Sequence, residues 1–214
     1  MSGTDRGIVA TGVYLFCKRK TAYEIEAAWG TSAPVDRAAV PAADEDVLTM
    51  AVAAGHDALD GGPDADEITH LAVATTTPPL EEEAFVPRIG AALGVDPDIG
   101  TTTATQSTAA TGEALLAGVD ADGPALVVVA DAPEGDAAEV GQRVGAGAAA
   151  FLVDDGADVV VAGHARESRD APGLRLRTQG ETEVSELDIT TYERETTRDV
   201  VATAVRRLEV DHHA

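Results

Sequence analysis

"GTTTATQSTAATGEALLAG", Gly100–Gly118, decides the fold. A glycine opens a run of small, mostly β-branched residues, and the run passes straight into a helical pattern. The reading is a short strand around Thr101–Ala104 and a helix from about Ser107 to Gly118. A strand-to-helix junction of this kind is suited to chemistry. The helix N-terminus offers free N–H groups and the positive end of the dipole, which can activate a nucleophile or hold an oxyanion. The hydroxyl candidates are Thr105 and Ser107. A hydroxyl also needs an adjacent base, and the sequence offers no evident one. The competing reading is a Ser or Thr that only caps the helix.

Strands and helices alternate on both sides of this junction. "GIVATGVYL" (Gly7–Leu15) has the β-branched content of a first strand. "TAYEIEAAWG" reads as a short helix with Thr21 as N-cap, Glu24 closing a capping box and Gly30 as the stop. "PVDRAAVPAAD" reads as a Pro/Ala loop. "DEDVLTMAVAAGHDALDGG" is an amphipathic helix with Val47, Met50, Ala51, Ala54 and Ala58 on one face. "ITHLAVATTT" (Ile68–Thr77) is a buried strand. "EEEAFVPRIGAALG" predicts a helix from near Pro79 to Gly94, kinked or shifted in its start by Pro87. "PALVVVADA" (Pro124–Ala132) is an apolar strand of the kind a covered sheet contains. "GAGAAAFLVDD" enters another strand, and "ADVVVAGHARES" predicts a hairpin with it through Asp154-Asp155-Gly156. "ITTYERETTRDVVATAVRRLEVD" is a final helix with Tyr192, Val200, Val201, Ala204, Val205 and Leu208 on its apolar side. The class is therefore α/β with a largely parallel sheet.

The chain has 214 residues and a formal net charge of -23 from 38 acids and 15 bases. The acid is spread along the chain, which indicates an acidic folded surface and not a disordered tail. Such a surface repels nucleic-acid phosphate and anionic lipid. Only Lys18 and Lys20 are lysines. Excess acid, few lysines and much Ala, Val, Thr and Gly resemble proteins of salt-loving archaea. In molar salt, screening makes this charge density tolerable. The single cysteine, Cys17, excludes an intramolecular disulfide and a cysteine zinc site. The N-terminus lacks the apolar core of a signal peptide, and no apolar run nears the length of a membrane span, so the expectation is a soluble, cytoplasmic protein.

Several other motifs carry weaker chemistry. Gly145 and Gly147 lack the third glycine of a dinucleotide fingerprint and lead into a strand, which favours close backbone packing. The histidines at 56, 70, 164, 212 and 213 have no metal-site spacing, so no metal is expected. Glu81, Glu82 and Glu83 read as dipole compensation at a helix start, with a catalytic carboxylate as the alternative. Lys18, Arg19 and Lys20 are the only basic cluster. They could meet the phosphates of an acyl carrier such as coenzyme A, and they stand beside Cys17.

Taken together, the chain resembles the first half of the thiolase superfamily, in particular the archaeal type of hydroxymethylglutaryl-CoA (HMG-CoA) synthase. The stretches that carry this are "GIVATGVYL", "AVPAADEDVLTMAVAAG", "LAVATTTPPLEEEAFVPRIGAALG", "TTTATQSTAATGEALLAG" and "RVGAGAAAFLVDD". "LDITTYERETTRDVVATAV" (Leu187–Val205) looks like the beginning of the second half. The resemblance implies a thiolase-like half, βαβαβαββ, over residues 1–165, with 166–214 as connector and start of the second half. It implies Claisen-type condensation on acyl-CoA in the mevalonate route to isoprenoids. It implies a CoA thioester as ligand, with no covalently bound cofactor. The family uses a cysteine at the strand-to-helix junction, a glutamate in the first half and a histidine in the second.

Aligned on these motifs, the cysteine position falls on Thr105 and the glutamate position on Thr76, and the histidine has no counterpart. A threonine hydroxyl is a poor substitute for a thiolate. The implied function is an HMG-CoA synthase-related, acyl-CoA-binding or scaffold subunit without condensing activity of its own. One alternative is an active acyltransferase completed by a partner chain, using Thr105, Ser107 or a glutamate of 81–83. Another is a structural dimer without ligand. The apolar "ALVVVA" pattern and the half-length fold imply a homo-oligomer or a chain supplying the second half. Family analogy adds an acetoacetyl-CoA thiolase and a zinc-ribbon/OB-fold protein as partners.

Overall fold

The computed structural model describes residues 6–30, 35–79, 84–105, 109–133, 145–169, 175–176, 185–186 and 190–211. It divides into two compact units, Met1–Pro133 with Gln142–Val161, and Glu134–Gly141 with Ala162–Ala214.

The first unit opens with β1 (Gly7–Tyr14), β2 (Arg19–Thr21), α1 (Ala22–Trp29) and β3 (Arg37–Ala39). It continues through α2 (Val47–Leu59), β4 (His70–Thr75), α3 (Val86–Leu93), β5 (Gly100–Thr105) and α4 (Ala110–Val119). It closes with β6 (Ala125–Asp131), β7 (Gly147–Asp154) and β8 (Val159–Val160). Six of these strands form one sheet in the order β5-β4-β6-β7-β1-β8. The sheet is mixed. β4 runs parallel to β5 and to β6, and every pairing from β6 outward to β8 is antiparallel.

Local chemistry explains the helices. Thr21 caps α1, and its hydroxyl and the Glu24 side chain complete the capping box. The Thr21 backbone N–H, and then its hydroxyl, hold the Glu24 carboxyl below the usual range. Gly30 ends the helix in the left-handed region at φ 68°. In α2 all five residues assigned to the apolar face are buried. Gly12 lets α2 lie directly on β1, since a Cβ there would stand 2.2 Å from the Ala54 carbonyl oxygen. Pro87 shifts the start of α3 to Val86, where a proline in the first turn costs no hydrogen bond.

Two clusters of buried side chains lie on the two faces of the sheet. One joins Met50, Ala54, Ile89, Leu71, Val73, Leu126 and Leu152. The other joins Ala110 and Ala114 of α4 to Ala72, Ala74, Val127 and Val153. The "ALVVVA" run of β6 is thus covered on both faces by helices of its own chain, so its apolarity by itself calls for no partner.

Three expectations are corrected. The main sheet is mixed and not largely parallel, since two of its five strand pairings are parallel. "PVDRAAVPAAD" is not all loop, because β3 lies within it and pairs with β2. β8 pairs with β1 and not with β7, since both edges of β7 are taken by β6 and β1. Gly156, at φ 74°, turns the chain past β7 to the far side of β1.

Arg6 is the buried cation among the described residues of this unit, 5% exposed. It donates to the carbonyl oxygens of Gly118, at 3.2 Å, and Gly123. It stands 3.7 Å from the carboxylates of Asp154 and Asp155. The end of α4 and the β7–β8 turn are tied together there.

In the second unit β9 (Arg175–Leu176) pairs with β10 (Ser185–Glu186), and α5 (Thr190–Asp211) is the long helix. Glu167 pairs with Arg169 and, at 2.7 Å, with Arg207, which also donates to the Arg166 carbonyl at 2.7 Å. On α5, Tyr192, Val201 and Val205 are exposed, whereas Val200, Ala204 and Leu208 are half-buried. Among the described residues no helix is long and apolar enough to cross a membrane.

Candidate functional site

Parallel pairing brings the carboxyl ends of β5, β4 and β6 to the same edge of the sheet. Thr105 ends β5 and stands in register with Thr75, the last residue of β4. Thr76 and Thr77 follow directly. Asp131 ends β6, one strand away on the other side of β4.

These residues converge on one oxygen. Asp131 Oδ1 accepts from the backbone N–H of Thr76 at 2.6 Å and of Thr77 at 3.1 Å. The hydroxyls of Thr75, Thr76 and Thr77 donate to it at 3.1, 3.0 and 3.1 Å. The Thr77 hydroxyl oxygen also accepts from the Ala132 N–H at 2.9 Å, which closes the turn onto the end of β6. A carboxylate with this many donors is held by charge-assisted bonds, which are the strong ones. Thr75 and Thr77 are buried, whereas Thr76 is exposed.

Asp131 also lines an open cavity of about 410 Å³, within the size range of small-molecule sites. The wall is formed by Leu15, Val35, Arg37, Ala38, Ala39, Asp131 and Gly145–Gly147. The Ala146 N–H donates to the Ala39 carbonyl at 3.2 Å, so the glycine segment and β3 lie backbone to backbone. The cavity therefore has mostly apolar walls, one cation and one anion.

The sequence-predicted residues divide as follows. Thr105 and Thr76 lie on neighbouring strand ends, and Gly145 and Gly147 line the cavity. Lys20 is in register with Ala38 of the cavity wall, whereas Lys18 and Arg19 are exposed beside exposed Cys17. Ser107 and the glutamates at 81–83 lie outside the described residues, as do the histidines at 212 and 213. His70 stands at the opposite end of β4, roughly 16 Å away at the usual strand rise. Its Nε2 lies 2.9 Å from the Thr102 hydroxyl, and burial lowers its pKa. Among the described residues no His, Cys, Asp or Glu side chains gather as a metal ligand set.

Sequence reasoning missed Asp131 and Arg37. The signal for Asp131 was present, since it is the first charge after an uninterrupted apolar run. Arg37 lay in a stretch read as loop.

Comparisons with known proteins show what the chain is similar to. HMG-CoA synthase of Pyrococcus furiosus is 31% identical over 166 residues, 74% of this chain and 47% of the relative. HMG-CoA synthase of Thermococcus gammatolerans is 32% identical over 155 residues, 69% of this chain and 44% of the relative. This chain is an HMG-CoA synthase-like member of the thiolase superfamily. It spans about half the length of the curated relatives it matches. Among solved structures, an HMG-CoA synthase complexed with CoA superposes with a TM-score of 0.81 at 18% identity, over 98% of this chain and 57% of that one. A 3-oxoacyl-[acyl-carrier-protein] synthase III from Aquifex aeolicus gives 0.72 at 20% identity, over 91% of this chain and 70% of that one. These structures share the fold. No family model matches the chain.

Proposed function

We propose that this HMG-CoA synthase-like chain binds an acyl-CoA thioester without forming the carbon–carbon bond itself, and so serves as a binding or scaffold subunit. One observation carries the reading. Hydroxyls, Thr105 and Thr76, stand on adjacent strand ends at the positions that match the family's cysteine and glutamate. A threonine hydroxyl is scarcely ionised near neutral pH, so the acyl-transfer step lacks its nucleophile. Thr76 is moreover committed to Asp131.

The cavity supports thioester binding. Its glycines let a chain approach the backbone closely, and its walls suit an apolar acyl or pantetheine segment. Arg37 and Lys20, on the paired β2 and β3, are the cations for a phosphate. Residues 166–214 then serve as connector and start of a second half, and the working unit is an assembly. That assembly is with a second copy or a chain supplying the second half. An acetoacetyl-CoA thiolase and a zinc-ribbon/OB-fold protein are the further partners the family suggests. The acidic surface suits a cytoplasm of high salt.

Titration calorimetry with acetyl-CoA tests the reading. The expected result is saturable binding, weakened by Arg37→Glu, with no free thiol released on long incubation. Steady release of CoA would contradict it and favour the condensing or hydrolysing enzyme. No heat and no protection from unfolding would favour the structural dimer.

A further inference from the structure

The carboxylate of Asp131 is satisfied on one side. Two N–H groups and three hydroxyls of the threonine turn reach Oδ1, at 2.6–3.1 Å. Among the described residues no donor reaches Oδ2, and Oδ2 is not a buried atom left without a partner. Oδ2 is therefore the oxygen open to the cavity that Asp131 lines. The donors on Oδ1 are all neutral, so they fix the direction of the charge without cancelling it. A charged acceptor in a mostly apolar wall calls for a donor.

The cavity is also polarised. Asp131 pairs with Gly147 across β6 and β7. A Cβ at Gly147 would stand 3.0 Å from the Leu15 side chain, so Asp131, Gly147 and Leu15 stand together at the end next to the threonine turn. Arg37 marks the other end. Ala39 carries the carbonyl that takes the Ala146 N–H, and Arg37 lies two residues before it, about 7 Å along β3. Arg37 is exposed, whereas Asp131 is half-buried. A phosphate belongs at the exposed cation, and the acyl group at the half-buried anion.

An acyl group seated there meets an acceptor that bears a negative charge. A hydroxyl can donate to it, in the strong charge-assisted class of hydrogen bond. A keto oxygen has lone pairs and no proton to offer. A terminal carboxylate brings like charge into a site of low dielectric. We propose that Asp131 Oδ2 selects the acyl group, so that the cavity takes a neutral hydroxyacyl thioester in preference to an oxoacyl or a carboxylated one. This rests on the reading that a thioester binds in this cavity, and it adds which one.

The test is calorimetric titration with racemic 3-hydroxybutyryl-CoA, acetoacetyl-CoA and succinyl-CoA. The first two differ by a hydroxyl against a keto oxygen. The hydroxyacyl thioester is expected to bind roughly tenfold more tightly than the oxoacyl one, and succinyl-CoA is expected to bind more weakly than either. Asp131→Asn keeps an oxygen for the threonine turn and puts an NH2 group where Oδ2 stood. It should remove the penalty on succinyl-CoA and bring acetoacetyl-CoA level with or ahead of the hydroxyacyl thioester. The wild-type comparison decides by itself even where the variant disturbs the turn. Equal affinity for all three thioesters overturns the selection by Asp131 and leaves thioester binding standing. Tightest binding of succinyl-CoA overturns it too, since the acyl end would then be read by Arg37. No binding of any of the three overturns both readings.

Discussion

β6 and β1 are strands of one sheet with different surroundings. In β6 Leu126, Val127 and Val128 are all fully buried, because α2 packs on one face and α4 on the other. In β1 Gly12 is buried and its neighbour Val13 is two-thirds exposed, because within the first unit, among the described residues, α2 packs on the Gly12 face. The continuous apolar run of β6 needed no partner. The alternating β1 leaves apolar Val13 exposed where a polar residue would serve water. A strand's demand for a partner is read from apolar residues on the uncovered face, and not from total apolarity. The threonine turn and Asp131 stand at the ends of the covered strands, whereas exposed Leu15 forms part of the cavity wall beside them.

The largest effect should come from Arg6, which ties the two sides. Arg6→Ala leaves the buried carbonyl of Gly118 and the half-buried one of Gly123 without their charged donor, and should cost about 3–5 kcal/mol in chemical denaturation. The comparison itself is sharpened by two leucines. Leu126→Ala should cost about 3 kcal/mol through the cavity it leaves, whereas Leu15→Ala should change monomer stability by less than about 0.5 kcal/mol. Similar losses at the two positions would mean that β1 is covered after all. Next is Asp131→Ala, which strips the threonine turn of its shared acceptor and should cost about 2 kcal/mol. Faster amide exchange confined to residues 75–77 would place the damage at the site.

The smallest effect is a pH dependence at His70. Burial lowers its folded-state pKa, so the folded state favours the neutral ring. The sign follows: its contribution is complete above the ordinary histidine value and is lost as pH falls through that value toward the lowered one. His70→Gln should flatten this part of the stability curve, and a curve left unchanged would argue against burial as the cause.

The sequence shows much of this where local rules govern. The Thr21–Glu24 capping box, the Gly30 stop and the apolar face of α2 follow from spacing and cap chemistry alone. What it does not show depends on pairing between distant strands. The three-residue β2 and β3 have no periodicity to read, yet they build the cavity wall. The partner of β8 is decided by which edges of β7 are already taken. Asp131 becomes a site residue only because β6 lies beside β4, more than fifty residues earlier in the chain. The family's motifs point to Thr105 and Thr76, and the parallel register of β4 and β5 brings the ends of those two strands side by side.

Intact-mass analysis of the wild-type chain after prolonged incubation with acetyl-CoA bears most directly on the central claim, that the nucleophile junction here holds no working nucleophile. The account predicts an unchanged mass under conditions where calorimetry shows the thioester bound. An acetyl adduct that maps to Thr105 or Ser107 would contradict it and return the chain to the condensing enzymes.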